Sequence, residues 1–93
     1  MKYSYIYIIS DGVSFKVGIS VDPAKRIKAL QTGSPKKLEL LHTFKIPKDK
    51  IFRAEKECHS ALNSKFIKRG EWFHNATEFS VRIIVDEICD TYN

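Results

Sequence analysis

The stretch that decides the fold is Tyr3-Ser-Tyr-Ile-Tyr-Ile-Ile-Ser10, followed by Asp11-Gly12-Val13 and then Ser14-Phe-Lys-Val-Gly-Ile-Ser20. The first run is aromatic and β-branched, which predicts a strand. Ser10-Asp11-Gly12 supplies turn chemistry. The second run alternates with period two, with Phe15, Val17 and Ile19 on one face and Lys16, Gly18 and Ser20 on the other. The two runs predict an antiparallel hairpin. Period two also places Tyr3, Tyr5 and Tyr7 on one face of the first strand and Ile6 and Ile8 on the other. If the faces match across the hairpin, Tyr7, Lys16 and Gly18 sit together, and the missing side chain at Gly18 leaves a hollow that a phosphate could approach. The plain alternative is a solvated sheet face ribbed with aromatics.

Working outward, Asp22-Pro23 opens a helix, because Asp caps well and Pro suits the first helical position. Ala24, Ile27 and Leu30 form its expected buried stripe, and Thr32-Gly33-Ser34-Pro35 ends it. Leu38 to Ile46 alternates again and predicts a third strand, closed by Pro47. A second helix is expected from about Asp49 to Leu62. Asn63–Gly70 reads as a basic loop, and Glu71-Trp72-Phe73 as a short segment with an apolar end. Asn75 is placed to cap a third helix, with Glu78 as its reciprocal partner. Val81, Ile84, Val85, Ile88 and Tyr92 give that helix its apolar face. The expected fold is therefore α/β (α+β), order ββαβαα, with a small three-stranded, mostly antiparallel sheet flanked by helices.

At 93 residues, the chain is sized for a single domain spanning 1–93. No apolar run approaches the ~20 residues of a membrane helix, and the alternating start from Met1 to Tyr5 reads as strand, not as a signal peptide. Cys58 and Cys89 have no metal-type spacing and read as free thiols of a reducing cytoplasm. The formal charge is +5, unevenly spread: residues 1–75 hold 15 Lys+Arg against 7 Asp+Glu, and residues 76–93 hold 1 against 4. A basic body of this kind suits an anionic partner, although many basic domains are merely well solvated.

Two more positions draw notice. In the second helix Ile51, Glu55, Cys58 and Leu62 share one stripe, so a carboxylate lies among apolar groups. Such a charge is costly unless it is paired or binds a metal. His59 lies one turn on and can touch it. Glu55 is thus either a metal ligand or an edge carboxylate paired with a Lys or His59. Arg26 sits just off the buried stripe of the first helix. Its planar fork suits a phosphate, while the alternative is an ordinary solvated Arg between Lys25 and Lys28.

Taken together, Tyr5-Ile6-Tyr7, Lys16-Val17-Gly18, Arg26 eight residues later and Glu55 resemble the GIY-YIG nuclease superfamily. Ala54 to His59 followed by Arg69-Gly70-Glu71-Trp72-Phe73 resembles its small phage and bacterial branch, where the second motif often reads Lys-Ile-Gly or Lys-Val-Gly. The resemblance runs from Tyr5 to Phe73. It implies that Tyr7 acts as or supports the general base, that Arg26 steadies charge on the scissile phosphate, and that Glu55 holds one divalent metal, Mg²⁺ or Mn²⁺. Asn75 matches an asparagine found near the metal in some members. Tyr5 stands where the family has glycine, and Lys16 where many relatives have a second tyrosine. Lys16 places positive charge beside Tyr7 and is assigned as its partner in proton transfer.

The expected activity is a metal-dependent endonuclease acting on nucleic acid, DNA foremost, in the cytoplasm of a bacterial or phage-infected cell. Tyr7, Lys16, Arg26 and Glu55 are its catalytic residues. Gly18, His59 and Asn75 support them, and Lys25, Lys28, Lys36, Lys37, Lys65, Lys68 and Arg69 contact phosphates without reading bases. The competing expectation is a GIY-YIG-fold module that binds nucleic acid without cutting it.

Overall fold

The computed structural model describes residues 2–93, so Met1 of the expected alternating start lies outside the described residues. Strand β1 is Tyr3–Ser10 and β2 is Phe15–Ser20. They form the expected hairpin, with Ile6 opposite Ile19, Tyr7 opposite Gly18 and Ile9 opposite Lys16. The turn is held by Asp11, whose carboxylate accepts the backbone N–H groups of Ser14 at 2.7 Å and Val13 at 3.0 Å. Burial works against that carboxylate, but the hydrogen bonds from Ser14 and Val13 outweigh it and hold its pKa below the ordinary value. Gly12 takes a positive φ of 96° in this turn, which a side chain would resist.

Helix α1 is Pro23–Thr32, and the Asp22 side chain accepts the Lys25 N–H at 3.2 Å, as the sequence predicts for its cap. Its expected stripe needs one correction. Ile27 and Leu30 are partly buried, but Ala24 is exposed, and no residue of α1 is fully buried. Strand β3, Glu39–Pro47, lies antiparallel to β1 on the side away from β2. A 3₁₀ turn at Lys48–Lys50 leads into α2, Ile51–Asn63. The buried stripe of α2 is Ile51, Ala54, Cys58 and Leu62, so Ala54 takes the innermost place and Glu55 is half-buried at the rim.

The expected three-stranded sheet is overturned. The sheet has five strands in the order β3-β1-β2-β5-β4, all antiparallel. The basic segment expected to be loop contains β4, Ile67–Arg69, and the segment after it is β5, Trp72–His74. They form a tight hairpin around Gly70, whose φ is +61°. Element order is therefore ββαβαββα, not ββαβαα, because this hairpin separates α2 from the last helix. Strands of three residues are too short to show an alternating pattern.

Helix α3 spans Glu78–Asp90. Its cap is Thr77 and not the expected Asn75: the Thr77 hydroxyl accepts the Ser80 N–H at 3.1 Å, and the Ser80 hydroxyl accepts the Thr77 N–H at 3.1 Å. Asn75 has φ of 59°, a left-handed conformation that short polar side chains tolerate, so it turns the chain ahead of the cap. Glu78 reaches His42 on β3 at 3.0 Å instead of closing a capping box.

The sheet divides two apolar clusters. On one face Ile6, Ile8, Val17, Ile46 and Phe73 meet the buried stripes of α2 and α3. On the other, Tyr7, Ile9 and Leu38 pack with Ile27 and Leu30 of α1 and with Trp72. The tyrosine face is thus not uniformly solvated: Tyr7 is 2% exposed beneath α1, whereas Tyr3 is 41% exposed. Cys58 and Cys89 are free and buried. Among the described residues, no helix is long and apolar enough to cross a membrane.

Candidate active site at the open edge of β2

Strand β5 pairs with β2 only at Phe15 and Lys16. From Val17 onward the outer edge of β2 has no neighbouring strand, and a cavity of about 570 Å³ opens there. Its walls come from both faces of the sheet. Helix α1 supplies Arg26, and α2 supplies Glu55, Lys56 and His59. The β4–β5 hairpin supplies Lys68 and Glu71, while β1 and β2 supply Tyr7, Lys16 and Gly18. A phenol, a guanidinium and a carboxylate from three separate elements thus border one hollow, as the sequence predicts.

Gly18 is required by geometry. A Cβ built there would lie 2.6 Å from Cζ of Tyr7, closer than two carbons can approach. The absent side chain is what lets the buried phenol lie across β2 with its hydroxyl bordering the cavity. This is a close approach of a neighbouring ring, not the phosphate approach expected from sequence.

Glu55 forms no ion pair among the described residues. The expected contact with His59 is absent, because the imidazole is engaged elsewhere. His59 Nε2 lies 2.7 Å from the Val17 carbonyl, a bare acceptor on the open strand edge, and Nδ1 lies 3.3 Å from Lys68 Nζ. Both contacts are satisfied when Nε2 donates and Nδ1 accepts. His59 therefore fastens α2 to the edge of β2 and leaves the carboxylate of Glu55 facing the hollow.

Lys16 is 5% exposed, and its ammonium is bound to the carboxylate of Glu71. The hydrogen bond from Lys16 holds the Glu71 carboxyl below its ordinary pKa, and the charges of Lys16, Arg26 and Lys68 add to the effect. Lys16 shares a sheet face with Tyr7, but its charge is directed at Glu71. Counting the lining, Lys16, Arg26, Lys56 and Lys68 outnumber Glu55 and Glu71 by two charges. The cavity favours an anion.

The other expected contacts disperse. Lys25 and Lys28 are exposed on α1 outside the cavity lining, as are Lys65 and Arg69 beside and within β4. Lys36 lines a neighbouring groove, with Nζ 3.9 Å from Asp11. Lys37 borders a third depression beside Glu39. Asn75 is not part of the cavity. Two charged lining residues, Lys56 and Glu71, have no role assigned from sequence, although both lie in the segments that carry the resemblance. Lys56 follows Glu55 directly and carried no pattern of its own. Glu71 enters only through the unforeseen hairpin.

Among the described residues, no group of three His, Cys, Asp or Glu could hold a metal ion. A hard divalent ion needs less: it can be held by one carboxylate, with water and substrate phosphate oxygens filling its shell. Glu55, half-buried and without an ionic partner, fits that donor set.

Comparison with curated proteins and with solved structures returned no match. The profile of the T5orf172 domain, a phage-associated domain also found in nuclease-related proteins, matches residues 4–90. That span takes in every strand but the first residue of β1, all three helices and the whole cavity lining, and the chain belongs to the T5orf172 domain family.

Proposed function

We propose that this protein is an endonuclease of GIY-YIG type, hydrolysing phosphodiester bonds in nucleic acid, DNA foremost, with one Mg²⁺ or Mn²⁺ ion. The observation that carries the proposal is the unpaired Glu55 carboxylate in a cation-rich hollow bordered by Tyr7 and Arg26. A binding surface alone has no use for a bare carboxylate facing a phosphate, since that charge repels its ligand.

Arg26 receives two non-bridging oxygens of the phosphate in its fork and stabilises the negative charge that grows there. Tyr7, fixed by burial and by the hollow at Gly18, acts in its deprotonated form: the phenolate orients the attacking water and accepts its proton as the new P–O bond forms, and the leaving oxygen takes a proton from solvent as its P–O bond breaks. Lys16 would place positive charge beside that proton transfer once substrate draws its ammonium away from Glu71. Glu55 would hold the metal, which when bound supplies Lewis-acid stabilisation of the phosphate oxygens. Lys56 and Lys68 draw the backbone in. Two free, buried thiols fit a reducing cytoplasm, that of a bacterial or phage-infected cell.

One observation favours a second reading, a module that binds without cutting. The ammonium of Lys16 is already bound to Glu71, which leaves Tyr7 without its assigned partner in the free protein. Incubating the protein with plasmid and branched DNA separates the two. The nuclease reading expects cleavage with Mg²⁺ or Mn²⁺, none with EDTA, and a Glu55→Ala variant slowed by about a hundredfold or more. Tight binding with no cleavage of any substrate establishes the module instead, and a Glu55→Ala variant that cuts at the parental rate removes the role of that carboxylate.

A further inference from the structure

A second groove of about 480 Å³ adjoins the cavity, and the two share Lys16 and Glu71 as a common wall. Its character is different. Trp72, Leu30, Pro35 and Leu38 give it apolar sides, and Lys36 is the cation at its far side. Trp72 is the cross-strand partner of Lys16, so its indole stands on the same sheet face as the Lys16 ammonium. An apolar slot with an aromatic wall, adjoining a cationic hollow, matches a nucleotide: the sugar-phosphate goes to the cations and the base to the apolar slot.

We infer that this groove receives an unpaired base of the nucleotide next to the phosphate held in the cavity. The inference rests on the proposed phosphodiester reading and narrows its substrate to single strands, flaps or gaps. A base inside a duplex is stacked on both faces and cannot enter a slot in the protein without being extruded. The groove is poorly equipped to read base identity. The Asp11 carboxylate is engaged by the Val13 and Ser14 N–H groups, and the Ser34 hydroxyl donates to the Lys36 carbonyl at 3.0 Å. Binding there should tolerate any base, because stacking does not depend on the pattern of hydrogen-bonding edges.

Trp72 is the only tryptophan in the chain, so its fluorescence reports on this groove alone. The protein, in EDTA to prevent cutting, is titrated with a single-stranded oligonucleotide, a flapped duplex, a blunt duplex and an abasic strand of equal length. Indole emission is followed with unlabelled strands, and anisotropy with labelled ones. The inference expects quenching by the single strand and the flap, and none by the blunt duplex or the abasic strand, although both still bind by anisotropy. Trp72→Leu should weaken single-strand binding by about fivefold to a hundredfold, the loss of one stacked base, with blunt-duplex binding unchanged. Anisotropy showing binding of every strand while Trp72 emission stays constant overturns the base subsite and leaves the nucleic-acid reading intact. Equal quenching by blunt duplex overturns the preference for an unpaired base. Absence of binding by any strand overturns the underlying reading, and this inference with it. The quenching arms use the natural chain, so they decide even if Trp72→Leu fails to fold.

Discussion

Replacing Glu71 with Gln should make the protein bind nucleic acid more tightly and fold less stably. The Glu71 side chain is 76% exposed, yet it neutralises Lys16, whose side chain is 7% exposed. In the cavity four cations face two carboxylates, and the substitution raises the excess from two charges to three. An exposed charge of this kind is worth up to about 1 kcal/mol, which is about fivefold in affinity. The change also frees the Lys16 ammonium to meet a phosphate. Each added phosphate contact steepens the salt dependence of duplex binding by about 0.9 in log–log slope. Without ligand, the amide oxygen of Gln accepts the Lys16 proton less strongly than a carboxylate. A loss of about 1 kcal/mol would lower the melting temperature by about 4–8 °C in a domain of this size. The folded Glu71 carboxyl lies below its ordinary pKa, so its contribution is present above the ordinary carboxylate range and vanishes as pH falls through the folded value. Parent and variant should therefore converge in stability in strong acid and separate towards neutrality. Anisotropy titrations at several salt concentrations, with thermal melts across pH, read both effects. A variant with unchanged affinity and unchanged salt slope would show that Glu71 lies outside the path of the phosphate.

Three further outcomes follow from the geometry. Arg26→Ala should slow cleavage by about 10²–10³ with melting unchanged, since Arg26 is exposed and has no ion pair among the described residues; Lys should restore only part, lacking the planar fork. Equal rates for Arg26→Lys and parent would show that charge alone is needed. Gly18→Ala should cost about 1–3 kcal/mol in thermal or urea denaturation, because its Cβ would press on the Tyr7 ring; a parental melting curve would mean the ring moves freely aside. Cys58 should resist iodoacetamide at pH 8 in the native protein and react in denaturant, because its hydrogen bond with Cys89 and its burial push the thiol pKa up; rapid native labelling would contradict that packing.

What was legible in the sequence is what local chemistry dictates. The β1–β2 hairpin and the two faces of its strands followed from period two, and the start of α1 followed from Asp22-Pro23. The odd carboxylate on the α2 stripe pointed to Glu55, which does face the cavity. The losses arise where tertiary contacts decide. The β4–β5 hairpin is too short to carry a period, so the fourth and fifth strands, Glu71 and the place of Trp72 were out of reach. Asn75 and Thr77 are both good capping types, and it is the folded chain, through the reciprocal Thr77–Ser80 hydrogen bonds and the positive φ at Asn75, that shows the helix begins after Thr77. The tyrosine face could not be sorted into buried Tyr7 and exposed Tyr3 without knowing where α1 lands.

The thin anchoring of α1 has a consequence for heat. Arg26 rides on a helix with no fully buried residue, while Glu55 rides on one with four. The two halves of the site are thus held with unequal strength, and the weaker half should detach first on warming. Hydrolysis would then fail several degrees before the molecule melts, and amide hydrogens of residues 27–32 would exchange with solvent earlier than those of 55–62. A site so arranged would lose its grip on a bound phosphate while the chain still counts as folded by circular dichroism.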